Sequence, residues 1–146
     1  MAPLMTDSSY FLDTCVPMYA TGRESKYRDA CYQILHAIAR KEVSAVTDTE
    51  VIQEIIYRHH AIARPADGTK LASDLLILMG DGMLPVTRDD AERFVTLSRS
   101  YPFIRPRDLV HVAVMVGAGI DQILTADKHF DAVREVRRID PLDFRW

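Results

Sequence analysis

Short apolar runs alternate along this chain with longer segments in which apolar residues recur at helical spacing. A short apolar run bounded by polar residues is typical of a buried strand, whereas recurrence every three to four positions is typical of an amphipathic helix. Strands separated by helices favour a parallel sheet that is covered on both faces and joined by right-handed crossovers. The predicted strands are residues 10–12, 43–46, 123–124 and 136–139, with at most a short edge strand within 80–86, where Pro85 interrupts it.

The segments between these strands carry the sequence signals of helix boundaries. Thr47 and Glu50 have the spacing of a capping box, which predicts a helix from that point to about residue 61. Pro106 is expected to begin a helix that runs to residue 116 and ends at Gly117 and Gly119. Three further helices are predicted at residues 25–40, 67–79 and 87–99.

Composition restricts the class of protein. The 146 residues are 48% hydrophobic and 27% charged, which is typical of a soluble globular protein, here expected to form one domain over residues 1–146. A formal net charge of only -3 excludes a broadly basic nucleic-acid binder but leaves room for a local basic groove. Cys15 and Cys31 are too few for a disulfide framework and favour a reducing, cytoplasmic environment. The start of the chain lacks the pattern of an export signal, and the longest apolar stretch, 109–120, is too short to span a bilayer.

Four acidic residues are predicted to meet at one edge of the sheet. Asp13 directly follows the first strand, and Asp127 follows the strand at 123–124. Asp108 opens the helix that leads into that strand, while Glu54 lies in the helix that follows the second strand. Ligands of open parallel sheets bind outside the carboxyl ends of the strands, so this edge is the expected functional site.

Each of these acids also has a structural explanation. Asp108 is placed to stabilise a helix N-terminus, and Glu54 has Arg58 four residues later as an ion-pair partner. Asp127 either closes a turn or holds a positive group, and the sequence leaves both open. Asp13 is the hardest to explain structurally, because a carboxylate directly after a buried strand is partly desolvated and needs a cation or several donors. The specific signal is therefore the convergence of several acids on one edge.

Four motifs cover most of the chain in order: FLDTCVPMY at 11–19, TDTEVIQEIIYR at 47–58, RDLVHVAVMVGAG at 107–119 and ILTADKHFD at 123–131. Together they resemble the PIN domain family, and within it the VapC-type toxin ribonucleases of toxin-antitoxin systems. The resemblance implies an α/β fold of the PIN-like three-layer α/β/α type, with a central parallel sheet of four to five strands. It places the whole chain in a single PIN-like nuclease domain.

The resemblance also implies a metal-dependent endoribonuclease that is the toxin of a type II toxin-antitoxin pair. Such enzymes hydrolyse RNA phosphodiester bonds with metal-activated water, and carboxylates are the ligands that Mg2+ or Mn2+ needs for this chemistry, with one or two ions bound. The implied partners are an RNA substrate, a cognate antitoxin and a second copy of the chain, with no membrane. The resemblance implies Asp13, Glu54, Asp108 and Asp127 as catalytic and metal-binding groups, and Thr14, Thr125 and Asp131 as outer-shell groups. Arg105, Arg107 and Lys128 flank the expected pocket and are candidate RNA contacts, with a solvated surface position as the alternative for each.

Two residues depart from the family pattern. One is Glu54, whose alternative in the same helix, Glu50, is assigned to capping. The other is Cys15, which also bears on a rival function. Cys15 stands where the family usually has Asn or Ser; a thiol is a poor magnesium ligand, so Cys15 is expected to be a small buried residue. Phosphatases with an aspartyl nucleophile need a second Asp at this position, and Cys15 argues against them.

His111 is expected to be a core histidine that packs behind Asp108. The alternative function that stays open is a catalytically weak or inactive PIN-like module that binds RNA or a protein partner.

Overall fold

A five-stranded parallel sheet forms the centre of the protein. The computed structural model describes residues 9–146, so the expectations on residues 1–8, that they belong to the domain and carry no export signal, lie outside the described part. The strands lie side by side in the order β3-β2-β1-β4-β5, and all pairs are parallel. Their bounds are β1 Tyr10–Leu12, β2 Ala45–Asp48, β3 Met83–Leu84, β4 Gln122–Leu124 and β5 Arg137–Ile139.

Helices cover both faces of this sheet. They are α1 Cys15–Thr21, α2 Arg28–Ala39, α3 Thr49–Ala61, α4 Pro65–Met79, α5 Arg88–Ser100 and α6 Pro106–Ala118, with single 3-10 turns at Gly80–Gly82 and Lys128–Ala132. Leu12 and Leu124 point to one face, where they pack in a core built by α1, α2, α3 and α4. Phe11 and Ile123 point to the other face, against α5 and α6. The predicted three-layer α/β/α architecture is therefore confirmed.

Most of the predicted elements appear within a few residues of the expected bounds. The four predicted strands and the short edge strand are all present, and so are the five predicted helices. Thr87 caps α5 as expected, in a reciprocal capping box in which its hydroxyl accepts from Asp90 N and its own N–H donates to the Asp90 carboxylate. No helix among residues 9–146 has the length and apolarity needed to cross a bilayer.

The predicted capping box of Thr47 and Glu50 is wrong. Thr47 and Asp48 still belong to β2, because they pair with Met83 and Leu84 of the edge strand. The Thr47 hydroxyl donates to the carbonyl of Leu12 at 2.8 Å, and Asp48 caps α3 instead by accepting from Val51 N at 3.1 Å. Helix α3 therefore begins two residues later than predicted, and β2 extends to Asp48 rather than ending at residue 46.

Two further differences concern helices. Gly117 lies inside α6, and only Gly119 ends it, with φ at 71° in the left-handed region where glycine avoids the cost of a Cβ. Helix α1 was not predicted, because its seven residues are too few to show a period and its cap residue, Thr14, makes no capping hydrogen bond. This short helix follows directly on β1 and starts one residue after Thr14, so Asp13 sits in the sharp turn between the two elements.

Candidate active site

A cavity of about 990 Å³ opens beside the carboxyl ends of β1 and β4. Its position follows from the strand order, since the chain runs outward from β1 through β2 to β3 and then crosses back to place β4 on the other side of β1. A parallel sheet leaves a crevice at the carboxyl ends of two strands whose connections run in opposite directions. The structure brings all four predicted acids to the wall of this cavity: Asp13, Glu54, Asp108 and Asp127.

Asp13 is a buried carboxylate, with only 6% of its surface exposed. Its backbone N–H continues the sheet by donating to Leu124 O at 3.2 Å, and its Oδ2 accepts from the Thr125 hydroxyl at 2.7 Å. Burial raises the pKa of Asp13 from 3.8 to about 6, with Asp108 and Glu54 adding to the rise and His111 and Thr125 opposing it. Loss of contact with water, more than repulsion by the other acids, is therefore what disfavours the charged form of Asp13.

A fully buried ion pair lies behind the acids. His111 and Asp48 both have no exposed side-chain surface, and Nδ1 of the imidazole lies 2.8 Å from Oδ2 of Asp48. The other ring nitrogen, Nε2, lies 3.8 Å from Glu54 Oε1 and 4.0 Å from Asp13 Oδ1, too far for a hydrogen bond but close enough for strong electrostatic attraction. Burial lowers the pKa of His111, but Asp48, Glu54 and Asp13 outweigh it and hold this pKa well above its usual value.

This arrangement corrects the prediction for His111. The residue is a core histidine, as expected, but it faces Asp13 and Glu54 rather than only filling space behind Asp108. Glu54 is likewise not an ordinary solvated helix residue, because only 6% of its surface is exposed. Burial raises the pKa of Glu54, yet His111, Arg58 and Arg107 outweigh burial and lower it below its usual value.

Arg105 lies on the solvent side of the cluster and joins two of the acids. Its Nε lies 3.2 Å from Asp108 Oδ2 and its Nη2 lies 2.5 Å from Asp127 Oδ2. Burial raises the pKa of Asp108, with Asp127 adding to the rise and Arg105 opposing it. Asp127 also accepts from His129 N at 2.9 Å, so this residue both caps a turn and holds a positive group. Asp127 therefore has both of the roles that the sequence left open.

The remaining predicted residues take different positions. Thr125 links three groups, since its hydroxyl donates to Asp13, accepts from Asp127 N at 3.0 Å and lies 3.4 Å from the Cys15 sulfur. Thr14 is buried, and its hydroxyl has no hydrogen-bond partner among residues 9–146. Asp131 is exposed and pairs with Arg138 at 2.9 Å, and it is not among the residues that line the cavity.

The two other predicted RNA contacts are farther from the acids than Arg105 is. The Arg107 guanidinium lies 5.0 Å from the centre of the Tyr57 ring, beside a second cavity of about 520 Å³. Lys128 is exposed in the turn after Asp127 and lines neither of the two cavities.

Sequence reasoning missed Asp48. A signal was present, since Asp48 lies two residues after the apolar Val46 of a predicted strand, but the assignment of Thr47 as a helix cap hid it. The structure shows a residue with two functions: Oδ1 caps α3 and Oδ2 holds His111. Asp48 thereby fixes both the start of the helix that carries Glu54 and the imidazole that faces Glu54.

The donor chemistry of the cluster suits a hard divalent cation. Carboxylate oxygens are the ligands that Mg2+ and Mn2+ prefer, and the raised pKa of Asp13 shows that burial disfavours its charged form, which a bound cation would stabilise. Within residues 9–146, however, no three His, Cys, Asp or Glu side chains converge on one point that would hold an ion. Instead Arg105 lies between Asp108 and Asp127, so the residues fit such an ion by type and charge but are arranged around a guanidinium.

Comparison with known proteins identifies relatives of the whole domain. The family model described as the PIN domain matches residues 10–136. Ribonuclease VapC13 of Mycobacterium tuberculosis is 30% identical over 128 residues, covering 88% of this chain and 97% of that protein. Ribonuclease VapC7 of the same organism is 32% identical over 133 residues, covering 89% of this chain and 90% of that protein.

Solved structures share the fold at lower identity. VapBC2 from Rickettsia felis, bound to a DNA fragment from its promoter, aligns with a TM-score of 0.71 at 16% identity, covering 91% of this chain and 100% of that one. VapC20 of Mycobacterium tuberculosis, described as a sarcin-ricin loop cleaving toxin, aligns with a TM-score of 0.67 at 20% identity, covering 88% and 99% of the two chains. At these identities the likeness establishes the fold.

The raised pKa of Asp13 predicts a specific pH dependence of stability in the presence of a chelator. The folded protein binds the Asp13 proton more tightly than the unfolded chain does, so stability from this group is present below about pH 4 and lost as pH rises through about 6. The loss amounts to roughly 3 kcal/mol. Because Asp13→Asn cannot ionise, we expect this variant to match wild type near pH 4 and to be more stable by about 1 to 3 kcal/mol at pH 7.5. Urea unfolding followed by circular dichroism measures the free energy of unfolding of both proteins at each pH. A difference between the two proteins that does not change with pH would contradict this explanation.

The buried pair of Asp48 and His111 predicts a large cost for removing one charge. Asp48→Asn keeps an oxygen to cap α3 but leaves His111 without its counter-charge, so we expect a loss of about 2 to 4 kcal/mol in the free energy of unfolding. Asp67→Asn is the matched control, because Asp67 pairs with Arg64 on the surface and should cost less than about 1 kcal/mol. Equal losses in the two variants, measured by urea unfolding, would show that the buried pair has no special weight.

Proposed function

Because this chain belongs to the PIN domain family, we propose that it is a metal-dependent endoribonuclease and the toxin of a type II toxin-antitoxin pair. Two kinds of relative support the proposal. Relatives at 30% identity or above are named ribonucleases, and structural neighbours include toxin-antitoxin complexes from Rickettsia felis and Klebsiella pneumoniae. The observation that carries it is the meeting of four carboxylates from distant parts of the chain on the wall of one cavity.

The proposed roles follow from where each acid lies. Asp13 and Asp127 are the nearest ligands of Mg2+ or Mn2+, since they follow the two strands that flank the crevice, and Asp108 lies beside them. Glu54 orients the attacking water or binds the ion through water. One or two such ions, when bound, make water nucleophilic and stabilise the leaving oxygen of the phosphodiester.

Residues behind and beside the acids have supporting roles in this proposal. His111 holds the carboxylates of Glu54 and Asp13 from the buried side by electrostatic attraction. The Thr125 hydroxyl fixes one oxygen of Asp13 and, through Asp127 N, the start of the turn that carries Asp127. Preorganised ligands of this kind lower the cost of assembling a metal centre.

RNA must approach an acidic site through compensating positive charge. Arg105 at the rim of the acid cluster is the best-placed candidate, and Arg107 and Lys128 are more distant ones. An antitoxin protein and a second copy of the chain complete the proposed partners. The proposed place of action is the cytoplasm, where the RNA substrate is found and where free thiols such as those of Cys15 and Cys31 stay reduced.

An RNA cleavage assay with divalent metal tests the catalytic part of the proposal. Wild-type protein should cleave RNA with Mg2+ or Mn2+ and lose activity in a chelator, while Asp13→Asn and Asp127→Asn should each lower the rate by at least about 100-fold, since even outer-shell changes at metal sites cost 10- to 100-fold. Asp89→Asn, an exposed acid of α5 outside both cavities, is the matched control and should keep its activity. Equal inertness of wild type and variants across diverse RNAs would instead favour the non-catalytic binding module.

Expression in cells tests the toxin part separately. Wild-type protein should arrest growth, because it degrades cellular RNA, and co-expression of a neighbouring gene's small protein should relieve the arrest and co-purify with the chain. Asp13→Asn should abolish the arrest while Asp89→Asn preserves it. If the protein cleaves RNA in vitro yet growth is unaffected at matched expression, the toxin assignment fails while the nuclease assignment survives.

A further inference from the structure

Arg105 binds two of the carboxylates that the proposed function assigns to the metal. Its Nε and Nη2 engage Oδ2 of Asp108 and Oδ2 of Asp127 at 3.2 Å and 2.5 Å. The backbone at this point is fixed, because the carbonyl of Arg105 accepts from Asp108 N at 3.0 Å and Pro106 begins α6 directly afterwards. The two contacts therefore come from a side chain that extends from a rigid attachment point across the mouth of the cluster.

Two of the positive groups that face the acids, His111 and Arg105, differ in how freely they can move. His111 has no exposed surface and is held by Asp48, so it cannot leave the cluster without disrupting the core. The Arg105 side chain is 59% exposed and makes its ion pairs from the solvent side. Its partners are more buried, with 8% of the Asp108 side chain and 18% of the Asp127 side chain exposed, but the guanidinium itself can move outward into water when a cation takes its place.

We propose that Arg105 exchanges partners during the reaction: it competes with the divalent cation for Asp108 and Asp127, and once the cation displaces it, it binds a phosphate of the RNA. The inference rests on the proposed function. Within residues 9–146 no three potential ligands converge on one point while the guanidinium lies between Asp108 and Asp127. Asp127 Oδ1 already accepts from His129 N, so the Asp127 oxygen that remains for a cation is Oδ2, which Arg105 occupies. A cation that binds Asp127 therefore competes with the guanidinium for this oxygen.

The released side chain is well placed for a phosphate. Arg105 lines both the main cavity and the neighbouring cavity of about 520 Å³, so it stands at the junction between them. The planar guanidinium matches two oxygens of a phosphate as well as it matches carboxylate oxygens. An RNA strand that crosses the acid cluster brings a phosphate group to this junction, and that phosphate replaces the carboxylates that Arg105 has lost.

Mn2+ binding without RNA tests the competition. We expect Arg105→Gln to tighten Mn2+ binding by about 5- to 10-fold, measured by titration calorimetry or by the paramagnetic resonance signal of free Mn2+, because two ion pairs no longer oppose the metal. Arg107→Gln removes the same charge nearby, but its guanidinium lies over Tyr57, so its effect should stay below about 2-fold. Arg105→Lys keeps the positive charge but loses the planar guanidinium, so we expect its affinity for Mn2+ to lie between those of wild type and Arg105→Gln.

Cleavage at saturating Mn2+ tests the second half of the exchange. Arg105→Gln should bind metal more tightly yet cleave RNA at least about 10-fold less efficiently, mainly through a raised KM, because the phosphate loses its partner. If Arg105→Gln binds Mn2+ with unchanged affinity, Arg105 does not compete with the cation. If Arg105→Gln binds Mn2+ more tightly but cleaves RNA as efficiently as wild type, Arg105 does not move to an RNA phosphate. If Arg105→Lys binds Mn2+ with wild-type affinity, a general effect of charge explains the result and the competition for shared oxygens is overturned. Failure of the wild-type protein to bind Mn2+ at all would instead contradict the proposed function itself.

Discussion

The burial of several carboxylates at one edge of a parallel sheet is the constraint around which the rest of this protein is arranged. Removing negative groups from water costs free energy, and burial is the main reason that the pKa of Asp13 is raised, with Asp108 and Glu54 adding to the rise. The fold offsets this cost by placing positive groups on two sides of the carboxylates. His111, held by Asp48, lies on the buried side, and Arg105 lies on the solvent side.

The topology explains why the acids meet at all. Asp13 and Asp127 are more than a hundred positions apart in the chain, yet they follow β1 and β4, which are neighbours at the centre of the sheet. The crossover from β3 back to β4 carries α6, which brings Asp108 to the same edge. A site assembled in this way depends on the pairing of strands that lie far apart in the chain.

Sequence patterns predicted much of this arrangement, because the signals involved were local. The position of an acid just after a short apolar run singled out Asp13 and Asp127, and capping residues located α5. The predictions that were wrong depended on contacts between residues that lie far apart in the chain. Thr47 has the sequence of a helix cap, but pairing with β3 keeps it in the sheet, and that pairing cannot be seen from Thr47 and its neighbours alone.

The ion pairs that Arg105 makes with two of the acids could not be predicted from the sequence, for a related reason. Its partners are Asp108, three residues away, and Asp127, twenty-two residues away, and only the fold brings the second within reach. The same holds for the contact of His111 with Asp48, which lie sixty-three positions apart. Sequence patterns located the carboxylates, whereas the structure was needed to identify the positive groups that face them.

The central claim is that the carboxylates form one centre for a divalent cation. Crystals soaked in Mn2+ test it most directly, through the anomalous scattering of manganese. The account predicts a peak in contact with the oxygens of Asp13 and Asp127, close to Asp108, with the Arg105 side chain displaced from both of its carboxylate partners. A map without a peak at this position, in crystals that still show Arg105 bound to Asp108 and Asp127, would contradict the claim.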